Sequence, residues 1–116
     1  MNFQITDSEV DGHTHVIELG GEVDLYTAPE FKERMVALIE AGKTRLVIDL
    51  SEATFIDSTT LGVLVGGVKR LRPLDGSLAI VCTDPNITKI FEITGLDRVF
   101  SIHGTREDAL AALAEA

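Results

Sequence analysis

Asp57, Ser58, Thr59 and Thr60 stand in a row directly ahead of the apolar run Leu61 to Leu71. A carboxylate followed by three hydroxyls supports two kinds of chemistry. The first is helix capping, in which Asp, Ser and Thr oxygens accept hydrogen bonds from the free N–H groups of a helix start, at about 1 kcal/mol per cap. The second is phosphoryl acceptance: a serine hydroxyl on an exposed loop beside the positive end of a helix dipole is well placed to receive a phosphoryl group. A single residue suffices for a cap, so the row exceeds what capping requires, yet composition alone favours the capping reading. Hydrolytic chemistry has no support, because a nucleophile elbow needs G-x-S-x-G and neither flanking glycine is present around Ser58.

Other residue types with chemical potential lead elsewhere. His13 and His15 share a strand face by period-two alternation, a spacing that can ligate metal, but no further ligand cluster accompanies them and they read as strand-end surface residues. His103 reads the same way. The glycines of "LGVLVGG" lack the spacing of a P-loop or a dinucleotide fingerprint, so no nucleotide, cofactor or metal is expected. Cys82 is the single cysteine and lies in an apolar run, which leaves no disulfide framework and no cysteine metal site. Asp49 ends an apolar strand and reads as a carboxylate accepting loop N–H bonds rather than as a catalytic group.

The elements that must position the row follow from periodicity. "FQIT" and "HTHVIEL" flank the turn-like "DSEVDG" and predict an antiparallel hairpin. Thr27 stands three residues before Glu30, a capping-box spacing, with Pro29 in the first turn of a helix that stops near Gly42. "RLVIDL" predicts a central strand, "SEATFID" the loop after it, and Leu61 to Leu71 a helix whose stripe of Leu61, Leu64, Val65, Val68 and Leu71 faces the core. Gly62 and Gly66 stack on one face of that helix, where a neighbouring element or a partner protein must come close, and Val63 is expected to be partly exposed beside the hydroxyls. Then come a strand in "DGSLAIVC", a helix with Asp84 as cap and Gly95 as stop, a strand in "RVFSI", and a closing Ala/Leu helix capped by Thr105. Alternating strands and helices imply an α/β fold with a mixed, mainly parallel sheet, an N-terminal hairpin and about four α-helices.

Two blocks of this pattern resemble a known family. "LVIDLSEATFIDSTTLGVLV" is similar to the central motif of STAS domains, in particular the bacterial anti-sigma factor antagonists, and "ELGGEVDLYTAPEF" resembles the family's G-E-x-D block. The resemblance spans essentially the whole chain and implies one STAS domain over residues 1–116. It also implies a switch. The serine after the Asp of the family's D-S pair, here Ser58 after Asp57, is phosphorylated by a partner that is both a serine kinase and an anti-sigma factor. The unphosphorylated antagonist binds that kinase and frees the sigma factor, and a PP2C-type phosphatase restores the bound state. Thr59 stands where the family often has serine, which leaves it a minor acceptor, and Thr60 stands where glycine is common. The implied docking surface comprises Glu22, Asp24, Tyr26, Thr27, Asp57, Ser58, Thr59, Thr60, Gly62 and Val63. The runner-up role is a STAS module of another signalling assembly, stressosome-like or transporter-associated.

Charge and length agree with such a module. The 116 residues are 45% hydrophobic and 25% charged, and ten basic against nineteen acidic side chains give a formal charge of -9. That charge repels nucleic acid and anionic lipid. No apolar stretch is long enough to span a bilayer and no signal peptide is recognisable, so a cytoplasmic monomer or weak dimer is expected, with no enzymatic activity of its own.

Overall fold

The computed structural model describes residues 2–114. Its elements are β1 (Phe3–Glu9), β2 (Thr14–Val23), α1 (Ala28–Glu40), β3 (Arg45–Ile56), α2 (Ser58–Leu71), β4 (Ser77–Val81), α3 (Pro85–Ile93), β5 (Ser101–His103) and α4 (Arg106–Ala114). The sheet order is β1-β2-β3-β4-β5. A short turn makes β1 and β2 antiparallel, whereas the helical crossovers make β2 to β5 parallel, as connection length dictates. The α/β class, the mixed sheet, the hairpin and the helices expected from periodicity are all present. The closing Ala/Leu helix was expected to run to the end of the sequence; residues 115 and 116 lie outside those described.

Side-chain alternation along the strands sorts the helices onto two faces. Leu46, Ile48 and Leu50 of β3 join Phe31 and Met35 of α1, Leu61, Leu64 and Leu71 of α2, and Phe91 of α3 in the larger core. Val47 of β3 points the other way, with Val16, Ala79 and Val81, onto Ala109 and Leu113 of α4. Of the expected stripe on α2, Leu61, Leu64 and Leu71 are buried and Val65 and Val68 are half-buried against the same core. Gly67 is the glycine that lets α2 settle on α1: a Cβ there would lie 2.7 Å from Met35 Sδ.

Several expectations need correction. "SEATFI" is not a loop but the second half of β3, held by parallel pairing to β2 as far as Val23↔Ile56. Asp7, Ser8 and Glu9 belong to β1 rather than to the turn, whose tip is fixed by Asp11 accepting from the N–H groups of His13 and Thr14 at 2.8 and 2.9 Å. Leu96–Arg98 forms a 3-10 turn, so the last strand starts only at Ser101. His15 is no surface residue; it is 7% exposed and its Nε2 lies 2.8 Å from the Asp7 carboxylate, which Arg34 of α1 also contacts at 2.8 Å. His13, by contrast, stays exposed. The Asp84 and Thr105 caps form as expected, accepting from Asn86 N–H at 2.8 Å and Asp108 N–H at 3.1 Å. Among the described residues no helix is long and apolar enough to cross a membrane.

Asp49 points to the α4 face, where it is buried. Its carboxylate accepts from the Ser51 N–H and hydroxyl at 2.9 and 2.6 Å and from Arg106 Nε at 2.6 Å, and Arg106 also reaches Glu18 at 2.8 Å. Burial raises the Asp49 pKa, but the hydrogen bonds from Ser51 and Arg106 outweigh it and hold the group below its ordinary value. A carboxyl depressed in the folded state stabilises the fold above its unfolded pKa of about 4, and that contribution is lost as pH falls through the folded value. Arg106→Ala leaves a buried carboxylate short of a donor and is expected to cost about 1–3 kcal/mol at neutral pH. Urea titrations of both proteins across the acid range should show the gap narrowing as Asp49 protonates; a gap independent of pH would remove the charge from this account.

Candidate phosphoacceptor and docking site

Ser58 is exposed and occupies the first helical position of α2. The preceding residue, Asp57, has extended backbone and N-caps the helix, its carboxylate accepting from the Thr60 N–H at 3.0 Å. Thr60 is fully buried, and its hydroxyl donates to the Val23 carbonyl at 2.7 Å, joining the start of α2 to the end of β2. The Asp57 carboxylate lies 3.2 Å from the same hydroxyl. Capping therefore occupies Asp57 and the buried tie occupies Thr60, which leaves Ser58 and Thr59 on the surface.

A second turn built on similar chemistry faces it across the β2–β3 ladder. Glu22 pairs with Phe55 and Val23 with Ile56, so the chain leaving β2 and the chain leaving β3 emerge side by side. Asp24 then folds the β2–α1 connection by accepting from the N–H groups of Tyr26 and Thr27 at 2.9 and 3.2 Å. The expected capping box does not form. Instead the Thr27 hydroxyl turns back, donating to the Glu22 carbonyl at 3.1 Å and accepting from the Asp24 N–H at 2.9 Å. This geometry suits Thr27 because a side chain that bonds its own preceding turn fixes the approach to α1 as firmly as a cap would.

The sequence-derived site is thus brought together around one edge, with one exception. Glu22, Asp24, Thr27, Asp57 and Val63 are partly exposed, and Tyr26, Ser58, Thr59 and Gly62 are exposed. Thr60 offers no surface to a partner; its side chain is spent on the joint, which gives a physical reason for a threonine where the resemblance led one to expect glycine. Sequence reasoning missed the apolar rim. Leu25 is 56% exposed, Tyr26 75% and Phe55 49%, three large apolar side chains on the segments leading from β2 and into α2 of a strongly acidic protein. Phe55 was hidden by reading its segment as a loop, whereas Leu25 sits inside the "GEVDLYT" block and was legible as an apolar residue with no helical or strand partner.

The electrostatics favour a hydroxyl here over a phosphate only when a partner covers it. The helix N-terminus supplies a positive end that tolerates an anion in water, with the Asp57 carboxylate beside it and a formal charge of -9 overall. Desolvating a dianion against that background is costly.

The family model for the STAS domain matches residues 6–109. An anti-sigma-B factor antagonist of Listeria monocytogenes is 38% identical over 102 residues, covering 88% of this chain and 90% of its own. The protein of the same name from Staphylococcus aureus is 33% identical over 103 residues, covering 89% and 94%. Among solved structures, an anti-sigma factor antagonist from Mycobacterium paratuberculosis superposes with a TM-score of 0.88 at 30% identity, covering 97% of this chain and 95% of that one. With the expected mixed sheet and N-terminal hairpin and a family match spanning nearly the whole sequence, this chain belongs to the STAS domain family.

Proposed function

We propose that the protein is an anti-sigma factor antagonist whose docking is switched at Ser58. Unphosphorylated, it binds an anti-sigma factor that is also a serine kinase, and the sigma factor is released. The kinase then forms a bond between Ser58 Oγ and the γ-phosphorus of ATP while the bond to ADP breaks, the hydroxyl proton passing to a base on the kinase. A PP2C-type phosphatase hydrolyses the phosphoserine and returns the docking-competent form. The chain supplies an acceptor and a surface, and the enzymes supply the chemistry. Such a role belongs to the cytoplasm, where sigma factors act.

The observation that carries this reading is the exposed Ser58 at the first position of α2, with Leu25, Tyr26 and Phe55 exposed on the segments leading from β2 and into α2, in a chain whose relatives are named anti-sigma-B factor antagonists. A phosphate adds about -1.5 to -2 charges at that point. Losing about 3 kcal/mol of docking energy weakens binding more than ~100-fold, which is ample for a switch. Thr59, exposed on the next helical position, is the minor acceptor under the same reading.

Mixing the purified protein with ATP and a candidate anti-sigma kinase, followed by intact mass and peptide fragmentation, should give one phosphate on Ser58 and none in Ser58→Ala. By calorimetry Ser58→Ala is expected to bind the kinase persistently and Ser58→Asp to bind at least ~10-fold more weakly; equal affinities would sink the charge argument. Thr60→Val tests the joint. It strands the Val23 carbonyl, and urea unfolding should register a loss of about 1–3 kcal/mol, whereas unchanged stability would mean that the tie does not hold the site.

A further inference from the structure

The α1–α2 seam carries an open groove of about 450 Å³ that begins at Thr59, the neighbour of Ser58. Its walls are Pro29 and Val36 of α1 and Val63 of α2, and it continues toward Ala37 and Glu40. Two cations, Lys32 and Arg70, line it along with these apolar groups; its upper part holds no acidic side chain, whereas Glu33 and Glu40 line the continuation that both cations also border. Among the described residues neither cation forms an ion pair, although the chain carries a formal charge of -9. Unpaired cations gathered on an apolar groove of an acidic protein are complementary to an acidic, amphipathic occupant.

The floor of the groove favours a helix as that occupant. Gly62 and Gly66 lie on it, and a Cβ at either would meet nothing within 4 Å, whereas Gly67 on the next face is needed for Met35. A glycine in a helix costs about 1 kcal/mol relative to alanine, and the fold makes no use of the space at these two positions. Glycines four apart clear a path along which another helix backbone can approach closely. From Thr59 to Arg70 the rise is about 16 Å, or three turns of a docked helix.

The geometry points to this groove as the seat of an amphipathic helix of the anti-sigma kinase, its apolar face over Gly62 and Gly66 and an Asp or Glu directed to Lys32 and Arg70. This inference rests on the proposed function, and it extends the docking surface from Ser58 down the α1–α2 seam.

The test uses the full chain and a kinase that phosphorylates it. Gly66→Leu, which fills the groove, and the double variant Lys32→Glu/Arg70→Glu are compared with Lys89→Glu, a charge control at an exposed position of α3. Expected are KM values raised at least ~10-fold with kcat retained for the groove variants, no change for the control, and a KM that rises with salt in the wild type but not in the double variant. Unfolding midpoints at or above that of the wild type for Gly66→Leu separate docking from folding. A photo-crosslinker on Gly66→Cys should capture one kinase segment with apolar i, i+3, i+4 spacing and an acidic residue. Wild-type kinetics in both groove variants, or crosslinks to a basic or non-helical segment, overturn the groove assignment while leaving Ser58 as acceptor. Wild-type kinetics with altered self-association in sedimentation would assign the groove to a second copy of the chain. A wild-type protein that no anti-sigma kinase binds or phosphorylates overturns the functional reading and this inference with it.

Discussion

The site depends on one buried hydrogen bond, from the Thr60 hydroxyl to the Val23 carbonyl at 2.7 Å. It ties the first turn of α2 to the last residue of β2, and so it couples the β2–α1 connection to the helix start that carries Ser58. The tie is possible because β2 and β3 keep pairing beyond the point where β4 ends. β3 meets β4 only from Arg45 to Asp49, but it meets β2 as far as Ile56. The result is an extension of the sheet beyond β4 whose last pairs, Glu22–Phe55 and Val23–Ile56, involve β2 and β3 and have helix starts on either side. A hydrogen bond sealed from water has no solvent competitor, so a single one can define the geometry of such a joint.

Much of this organisation was legible. Period-two and helical spacing located the strands and helices, the Asp84 and Thr105 caps were readable from residue type and position, and the repeated crossovers implied the parallel order. The failures have common causes. "SEATFI" was read as a loop because its polar residues break the alternation, and the register shifts by which β3 follows β2 put Ala53 and Ile56 inside while Thr54 and Phe55 stay out. His15 looked like a surface residue because a sequence window cannot see Asp7 and Arg34 brought to it by the hairpin and α1. Arg106, far along the chain from Asp49 and Glu18, was invisible for the same reason. The doubled glycine of "GGEVD", by contrast, has a local cause: Gly21 sits at φ 77, where a side chain would also collide with the Asn2 carbonyl.

The glycines of α2 show how one helix separates a packed face from an open one. Gly67 faces α1 and is consumed by packing, while Gly62 and Gly66 face the groove and leave open space. The same division appears on the strands, where alternate residues feed two different cores. Because the packed face and the open face are set by helical geometry rather than by distance along the chain, residues on the open face can diverge without disturbing the sheet. Lys32 of α1 and Arg70 of α2 line the groove beside that face, where neither the larger core nor any ion pair among the described residues constrains them.

The row Asp57-Ser58-Thr59-Thr60 can be understood in the same terms. Successive residues at a helix start project about 100° apart, so consecutive polar side chains address different surroundings. Asp57 turns onto the backbone and caps the helix; Thr60 turns inward and locks the joint; Thr59 lines the groove; Ser58 faces water. Capping and the proposed phosphoryl acceptance are therefore not rival explanations of one motif, since different members of the row are free for each. That separation also bears on how a phosphate would act. The groups that hold the helix start in place are Asp57 and Thr60, and neither needs the Ser58 hydroxyl, so charge added at Ser58 has no structural bond to break. Its effect must fall on whatever covers the serine, which makes the interface, and not the fold, the element that a phosphate at this position switches.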